Sequence, residues 1–185
     1  MCSSDLKLHR AEAGQLARFA DGIDFSGFAW AASAERLVEL GKSLTRGRAL
    51  EKVDPPASFR ASLRPYQADG LAWLDFLRDA GFGGVLADDM GLGKTVQVLA
   101  LLLLRRDVVR AAGIVRRPSL VVVPKSLVFN WIEEARRFAP GLRVLNHTGN
   151  ARLEAAAAVA DHDIVITTYG TLRRDIVAHR ETEFD

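Results

Sequence analysis

Apolar positions along the chain follow two rhythms, and the changeover between them organises the sequence. From residue 7 to about residue 58 the spacing is helical but weak. Leu16, Phe19 and Ala20 share a face, and Leu37, Leu40 and Leu44 recur at three- and four-residue intervals behind Ser33, a residue type suited to an N-cap. Asp54-Pro55-Pro56 interrupts any helix and predicts a linker. From Leu63 onward, short aliphatic runs alternate with longer stretches of helical period. Pro65 suits the first turn of a helix whose stripe is Tyr66, Gly70, Trp73, Leu74 and Leu77, with Gly81 as its C-terminal cap. Gly84–Ala87 predicts a strand running into a glycine-rich loop, and Thr95 to about Val109 predicts the helix after it. Ser119–Val123, Leu142–Leu145 and Asp163–Thr168 predict further strands, the first aliphatic enough to be covered on both faces. Ser126 is placed to cap a helix through Phe138, with Trp131, Ile132, Ala135 and Phe138 buried and Pro140-Gly141 ending it. An alanine-rich helix covers about Arg152 to Ala160, and Tyr169 to His179 is helical again. This alternation predicts an α/β fold: a mostly parallel sheet with helices on both faces.

Composition changes that picture little. A chain of 185 residues suffices for one sizeable core, here residues 59–185, behind a smaller helical segment and linker over 7–58. A net charge of +2 selects no partner, and the pairs Arg105-Arg106, Arg116-Arg117, Arg136-Arg137 and Arg173-Arg174 read as solvated helix ends. The single cysteine, Cys2, allows neither an internal disulfide nor a cysteine metal site, which fits a cytoplasmic protein. No apolar stretch of signal-peptide type follows the start, and Val98–Leu104 falls well short of the roughly 20 residues of a membrane span, so no membrane partner is expected. Met1–Leu6 stands apart. Met-Cys-Ser-Ser-Asp-Leu can be encoded by GTG-TGC-TCT-TCC-GAT-CT, which resembles the tail of a sequencing adapter, and these residues are read as an assembly scar.

The candidate chemistry lies between the strand ending at Ala87 and the helix beginning near Thr95, in Asp88-Asp89-Met90-Gly91-Leu92-Gly93-Lys94-Thr95. A loop entering a helix N-terminus turns backbone N–H groups inward, and the helix dipole adds partial positive charge, so the pair forms an anion cradle. Gly91 and Gly93 let the backbone approach phosphate closely. Lys94 is placed to reach β- and γ-phosphates, and the Thr95 hydroxyl to ligate Mg²⁺. The general G-x-x-x-x-G-K-[ST] pattern would put glycine at position 88, where this chain has aspartate.

That departure matters, because Leu86-Ala-Asp-Asp-Met-Gly-Leu-Gly-Lys-Thr95 resembles motif I of the SNF2 family of superfamily 2 ATPases. Leu63-Arg-Pro-Tyr-Gln67 with Gly70-Leu-Ala-Trp-Leu74 resembles that family's glutamine-motif helix. Leu120-Val-Val-Val-Pro-Lys-Ser126 with Asn130-Trp131 and Glu133-Glu134 resembles motif Ia, and Asp163-Ile-Val-Ile-Thr-Thr-Tyr-Gly170 resembles motif Ib. The match runs from about Leu63 to Phe184, and residues 7–58 are similar to the helical segment preceding the motor in bacterial members. The resemblance implies a P-loop, RecA-like lobe that takes ATP and Mg²⁺. Gln67 would bond adenine, Asp89 and Met90–Thr95 would hold nucleotide, and Thr95 would hold Mg²⁺. Pro124, Lys125, Ser126, Thr168 and Tyr169 would lie against the backbone of duplex DNA, in keeping with contacts that position phosphate without reading sequence. The residues themselves leave alternatives open: Gln67 as an exposed helical glutamine, Ser126 as a plain N-cap, and Thr167, Thr168 and Tyr169 as strand-end packing. Trp73 and Trp131 are assigned to the core, and His147 and His162 to the surface.

Hydrolysis by such motors needs an acidic pair that holds Mg²⁺ and activates water. No Asp-Glu-x-His or Asp-Glu-x-Gln occurs in the chain, and the resemblance places that pair shortly beyond Asp185, with the second lobe and its arginine fingers after it. Asp88 and Asp89 precede the phosphate loop and do not replace it. The expected protein is therefore a DNA-stimulated ATPase that translocates on duplex DNA rather than unwinding it, acting in the bacterial nucleoid on RNA polymerase or other DNA-bound proteins. The 185-residue chain alone is expected to hydrolyse ATP negligibly and to fold poorly, with strand edges and apolar faces left uncovered. Another superfamily 2 helicase or restriction-type translocase, and a non-catalytic ATP- or DNA-binding module, are the alternatives.

Overall fold

The computed structural model describes residues 51–79, 81, 83–149, 156–176, 180 and 182–185. The segment before residue 51 and residues 150–155 lie outside the described residues. So do the helices predicted within 7–50, the assembly-scar reading of Met1–Leu6, the first half of the alanine-rich helix and residues 177–179. The chain divides into two compact units, one formed by Val53–Leu71 and Ala87–Asp185, the other including Ala72–Leu86.

In the larger unit, helix α2 (Lys94–Ala111), strand β1 (Ser119–Val122), helix α3 (Val128–Phe138), strand β2 (Val144–Asn146), strand β3 (Ile164–Thr167) and the short helix α4 (Tyr169–Asp175) follow one another. Single 3-10 segments occupy Lys125–Leu127 and Ala156–Asp161. The three strands are parallel in the order β1-β3-β2, with Ser119 opposite Ile164 and Val144 also opposite Ile164. The last strand in sequence therefore occupies the centre, and all four of its residues are buried. Side chains alternate across a strand, so Ile164 and Ile166 face one side and Val165 and Thr167 the other. Ile164 and Ile166 join Leu99, Ala100 and Leu103 of α2, and Val128 and Ala135 of α3, in one core cluster. Burying each of these large aliphatic side chains contributes about 1.5–3 kcal/mol. Trp131, Ile132 and Phe138 pack at the margin of that cluster, as their helical spacing predicts.

Residues 53–63 are no free linker. Phe59 is buried in the same cluster, Val53, Ala61 and Leu63 pack against it, and the Arg60 amide donates to the Phe138 carbonyl at 2.7 Å. Residues 51–56 carry no regular structure, and the Asp54-Pro55-Pro56 stretch belongs to a strap along the core.

Helix α1 (Pro65–Asp79) starts at the proline, as expected. Its buried face is shifted from the predicted stripe. Gln67 and Leu71 are the buried positions in its first half, whereas Tyr66 is 36% exposed. In the smaller unit Ala72 and Leu77 are buried, and the Trp73 and Phe76 rings stack with centroids 5.9 Å apart. Gly81 takes a left-handed φ of 71° and its amide returns to the Arg78 carbonyl at 2.9 Å, the predicted C-terminal closure.

Three further expectations fail. Gly84–Ala87 forms no strand: residues 83–89 are irregular and Val85 is 78% exposed. A strand exists only where a neighbour takes its backbone groups, and the three-stranded sheet pairs none of these residues. Strand β1 is not covered on both faces either. It forms one edge of the sheet, and Val122 is 41% exposed. Ser126 caps nothing, because the residues after Pro124 first make a 3-10 turn and α3 begins one turn later behind Leu127, with no side-chain cap.

Candidate functional site

Residues 88–93 form an irregular loop that enters α2 through Gly93, at φ 78° and ψ 41°. Gly91 sits at φ 87°. An L side chain at either position would be strained, and at Gly93 its Cβ would stand 2.5 Å from Gln67 Nε2; the space around Gly91 is open. No side chain caps the first turn of α2, and that turn holds no acidic residue. Its leading N–H groups and the positive end of the helix dipole therefore have no counter-charge from their own turn.

The loop's polar groups are arranged around Lys94 and Leu92. The Lys94 ammonium donates to the Asp88 carbonyl at 2.6 Å and the Asp89 carbonyl at 2.8 Å. The Leu92 carbonyl accepts from Gln67 Nε2 at 3.0 Å and from the Tyr66 hydroxyl at 3.2 Å. Gln67 Oε1 in turn accepts from the Arg64 amide at 2.9 Å. Gln67 is 8% exposed, which disposes of the exposed-glutamine alternative: its amide joins the start of α1 to the glycine-rich loop. Met90 is almost fully exposed and the Thr95 side chain half-buried. Two partners in this site were missed by sequence reasoning. Tyr66 was assigned to a buried stripe, and Gln97 went unremarked although a glutamine between Val96 and Val98 in a buried helix is itself a signal. Gln97 is fully buried, and its Nε2 donates to the Asp88 carboxylate at 3.1 Å.

The residues expected along DNA come together at one edge of the sheet. Val122 pairs with Thr167, and the Val123 amide donates to the Thr167 carbonyl at 2.9 Å, so Pro124–Ser126 and Thr168–Tyr169 leave the C-terminal ends of adjacent parallel strands. Pro124, Lys125 and Ser126 are exposed, and Tyr169 is 73% exposed. Thr168 is the N-cap of α4: its hydroxyl accepts from the Thr171 amide at 3.2 Å and lies 2.9 Å from the Thr171 hydroxyl. Thr167 is buried, its hydroxyl donating to the His147 carbonyl. His147 is not a surface residue as expected. It is 2% exposed, with Nε2 3.4 Å from the Asp175 carboxylate on α4. His162 is half-buried. In α3, burial raises the Glu134 carboxyl above its ordinary range, and the Arg137 guanidinium opposes that rise. Among the described residues no group of three or more His, Cys, Asp or Glu is arranged to hold a metal, and no helix is long and apolar enough to cross a membrane.

A parallel α/β sheet beside a loop with two left-handed glycines, a lysine and an uncapped helix start defines the P-loop, RecA-like class of nucleotide-binding lobe. Residues 66–185 match the family described as the SNF2-related domain, and the chain belongs to that family. YwqA of Bacillus subtilis (strain 168), named as an ATP-dependent helicase/translocase, is 40% identical over 168 residues, 88% of this chain and 17% of its own length. That match takes in more than residues 66–185, so it reaches into the preceding segment. The TATA-binding protein-associated factor MOT1 of Saccharomyces cerevisiae is 36% identical over 70% of this chain and 7% of its own. The chain thus spans less than a fifth of the length of these relatives. Among solved structures, the Sulfolobus solfataricus SWI2/SNF2 ATPase core in complex with dsDNA matches with a TM-score of 0.62 and 39% identity. It covers 72% of this chain and 26% of that one. The same core domain described without DNA matches with a TM-score of 0.62 and 37% identity.

Proposed function

We propose that the chain is the ATP-binding portion of a DNA-dependent motor that tracks along duplex DNA and remodels protein–DNA complexes, acting in the cytoplasm at the bacterial nucleoid. The observation that carries this reading is the loop at 88–95. It combines two left-handed glycines, a helix start with no cap, and a lysine whose named acceptors are backbone carbonyls that a phosphate can replace. The space beside Gly91 is open where a side chain would stand, so the chain does not obstruct the approach of a phosphate to that backbone. Asp89 and Met90–Thr95 would hold the phosphates, Thr95 would ligate Mg²⁺, and Gln67 would reach adenine from its place beside the loop. When bound, ATP would supply the phosphoanhydride bond, and a Mg²⁺ held at Thr95 would supply charge neutralisation to its phosphates.

The chain's own contribution is to bind and orient. Amides of the first turn of α2 and the Lys94 ammonium stabilise anionic oxygens. Pro124, Lys125, Ser126, Thr168 and Tyr169 would meet duplex DNA through its backbone, with no reading of sequence. The Sulfolobus core's complex with dsDNA supports that partner. The DNA-bound proteins displaced by the motor, RNA polymerase among them, are part of the same proposal.

Titration of the chain with a fluorescent ATP analogue and Mg²⁺ tests this reading. The expected result is saturable binding that Lys94→Ala weakens at least about tenfold, which is the loss of about 1.4 kcal/mol of charge-assisted bonding. Binding unaffected by Lys94→Ala would overturn it. Turnover by the chain itself is expected to be negligible.

A further inference from the structure

The general phosphate-loop pattern has glycine where this chain has Asp88, and the structure shows what the aspartate does. Its carboxylate accepts from Gln97 Nε2 at 3.1 Å, across nine residues of sequence, while its carbonyl accepts from Lys94 at 2.6 Å. Asp88 is therefore held at two atoms by two residues of the same helix. Gln97 is fully buried, and its Oε1 has no hydrogen-bond partner among the described residues. A buried carbonyl without a donor costs stability, and an apolar side chain of similar length would avoid that cost. Its neighbours on the core face, Leu99, Ala100 and Leu103, are all apolar. The amide at position 97 is thus costly for packing, and the one bond it makes is to the loop.

We propose that Gln97 is a positioning residue for nucleotide binding: by holding the Asp88 carboxylate it orders the first residue of the phosphate loop, so that the loop is already shaped when phosphate replaces the Asp88 and Asp89 carbonyls at Lys94. The inference rests on the nucleotide-binding reading above. Without the tether, residues 88–90 are held to α2 through the Lys94 ammonium, whose bonds to the Asp88 and Asp89 carbonyls are the ones phosphate replaces, and Met90 is almost fully exposed. Their ordering must then be supplied at the moment of binding, which weakens affinity. A bond from an amide to a carboxylate is of the charge-assisted kind, and its loss is expected to weaken affinity about tenfold.

The test uses the chain with the fluorescent probe mant-ADP and Mg²⁺, reading dissociation constant and melting temperature for each variant. Gln97→Met keeps length and apolar packing but removes the tether. It should weaken mant-ADP binding about tenfold while leaving the melting temperature unchanged or raised. Asp88→Ala, in the loop and away from the core, should produce the same loss, and the double substitution no more than either alone. Gln97→Glu sets two carboxylates against each other; combining it with Asp88→Asn reverses donor and acceptor and should restore affinity to within about twofold of the parent chain. Wild-type affinity in Gln97→Met, additive losses in the double variant, or no restoration by the reversed pair would overturn the proposal. If the parent chain itself does not bind mant-ADP, the nucleotide reading fails instead. The tether is then judged by amide hydrogen exchange at residues 88–93, which should quicken in Gln97→Met and would refute the inference if unchanged.

Discussion

The two ends of the central strand do opposite things. Before β3 begins, Asp163 has its carboxylate almost wholly buried, where it accepts from the Arg116 guanidinium and from the Arg143 amide at 2.7 Å. Its backbone accepts from Ser119 and donates to Arg143, so one residue joins the approaches to all three strands. Around it Arg117 pairs with Glu183 at 2.6 Å, and Arg105 pairs with Asp185. After β3 ends, Pro124, Lys125, Ser126 and Tyr169 stand exposed on neighbouring loops. Polar groups at the first end are satisfied within the chain and serve the fold. Those at the second end face solvent, and the charge of Lys125 is available to a partner. On the proposed reading the same strands would separate stability from recognition along one axis, in line with the rule that open parallel sheets bind ligands beyond the carboxyl ends of their strands.

The largest effect should come from breaking the closed end. Asp163→Ala leaves the Arg116 guanidinium without its buried partner and the Arg143 amide without its acceptor, and should cost about 3–5 kcal/mol in urea unfolding. The dependence of duplex-DNA affinity on salt should not change. A cost below about 1 kcal/mol would show that the ion pair is solvated, as surface pairs are.

At the open end, Thr168→Ala removes the cap of α4 and should cost about 1 kcal/mol of stability. The threonine carries no charge, so fluorescence anisotropy on duplex DNA should show an unchanged salt slope. A changed slope would mean that this end holds fewer phosphates without the threonine.

Lys125→Ala should do the reverse. Unfolding should move by no more than about 0.5 kcal/mol, as for an exposed residue. The slope of log affinity against log salt should become shallower by about 0.9, one phosphate contact fewer. An unchanged slope would remove Lys125 from the DNA face.

The smallest effect concerns Glu134 on α3. Its carboxyl is raised above the ordinary 4.5 by burial, so the folded chain holds that proton more tightly than the unfolded one. Stability from this group is greatest at acid pH and declines as pH rises from the unfolded value through the raised folded value. Glu134→Gln should therefore raise the melting temperature slightly at pH 7 and change it little at pH 4. A lower melting temperature at pH 7 would mean that attraction to Arg137 outweighs burial.

How much of this was legible in advance follows from the range over which each feature is decided. The loop at 88–95 was readable because glycine spacing, the following helix and Lys94 are neighbours in sequence, and the left-handed angles of Gly91 and Gly93 bear that out. The strands at Ser119–Val122, Val144–Asn146 and Ile164–Thr167 and helix α3 were readable for the same reason, since burial on a sheet or helix face imposes a period; the described end of the alanine-rich segment, Ala156–Asp161, is instead a 3-10 turn. Asp88 was recognised as a departure, but its partner Gln97 was not, because a single polar residue on an apolar face has no period to reveal it. His147 looked like a surface histidine; only the fold buries it and brings Asp175 of α4 to it. Ser126 and Thr168 follow strand ends with similar local chemistry, yet only Thr168 caps a helix, because a 3-10 turn separates Ser126 from α3.

The sequence by itself determined the class of lobe, the glycine-rich loop with its left-handed positions and the family, since those rest on backbone preferences and residue order within a few turns of chain. Only the tertiary structure decided that 84–87 pairs with no strand, that β3 lies at the centre, and which polar groups are satisfied inside and which face outward. Each of those depends on a partner brought from far along the chain, and a strand, a buried charge or a tether has no meaning until that partner arrives.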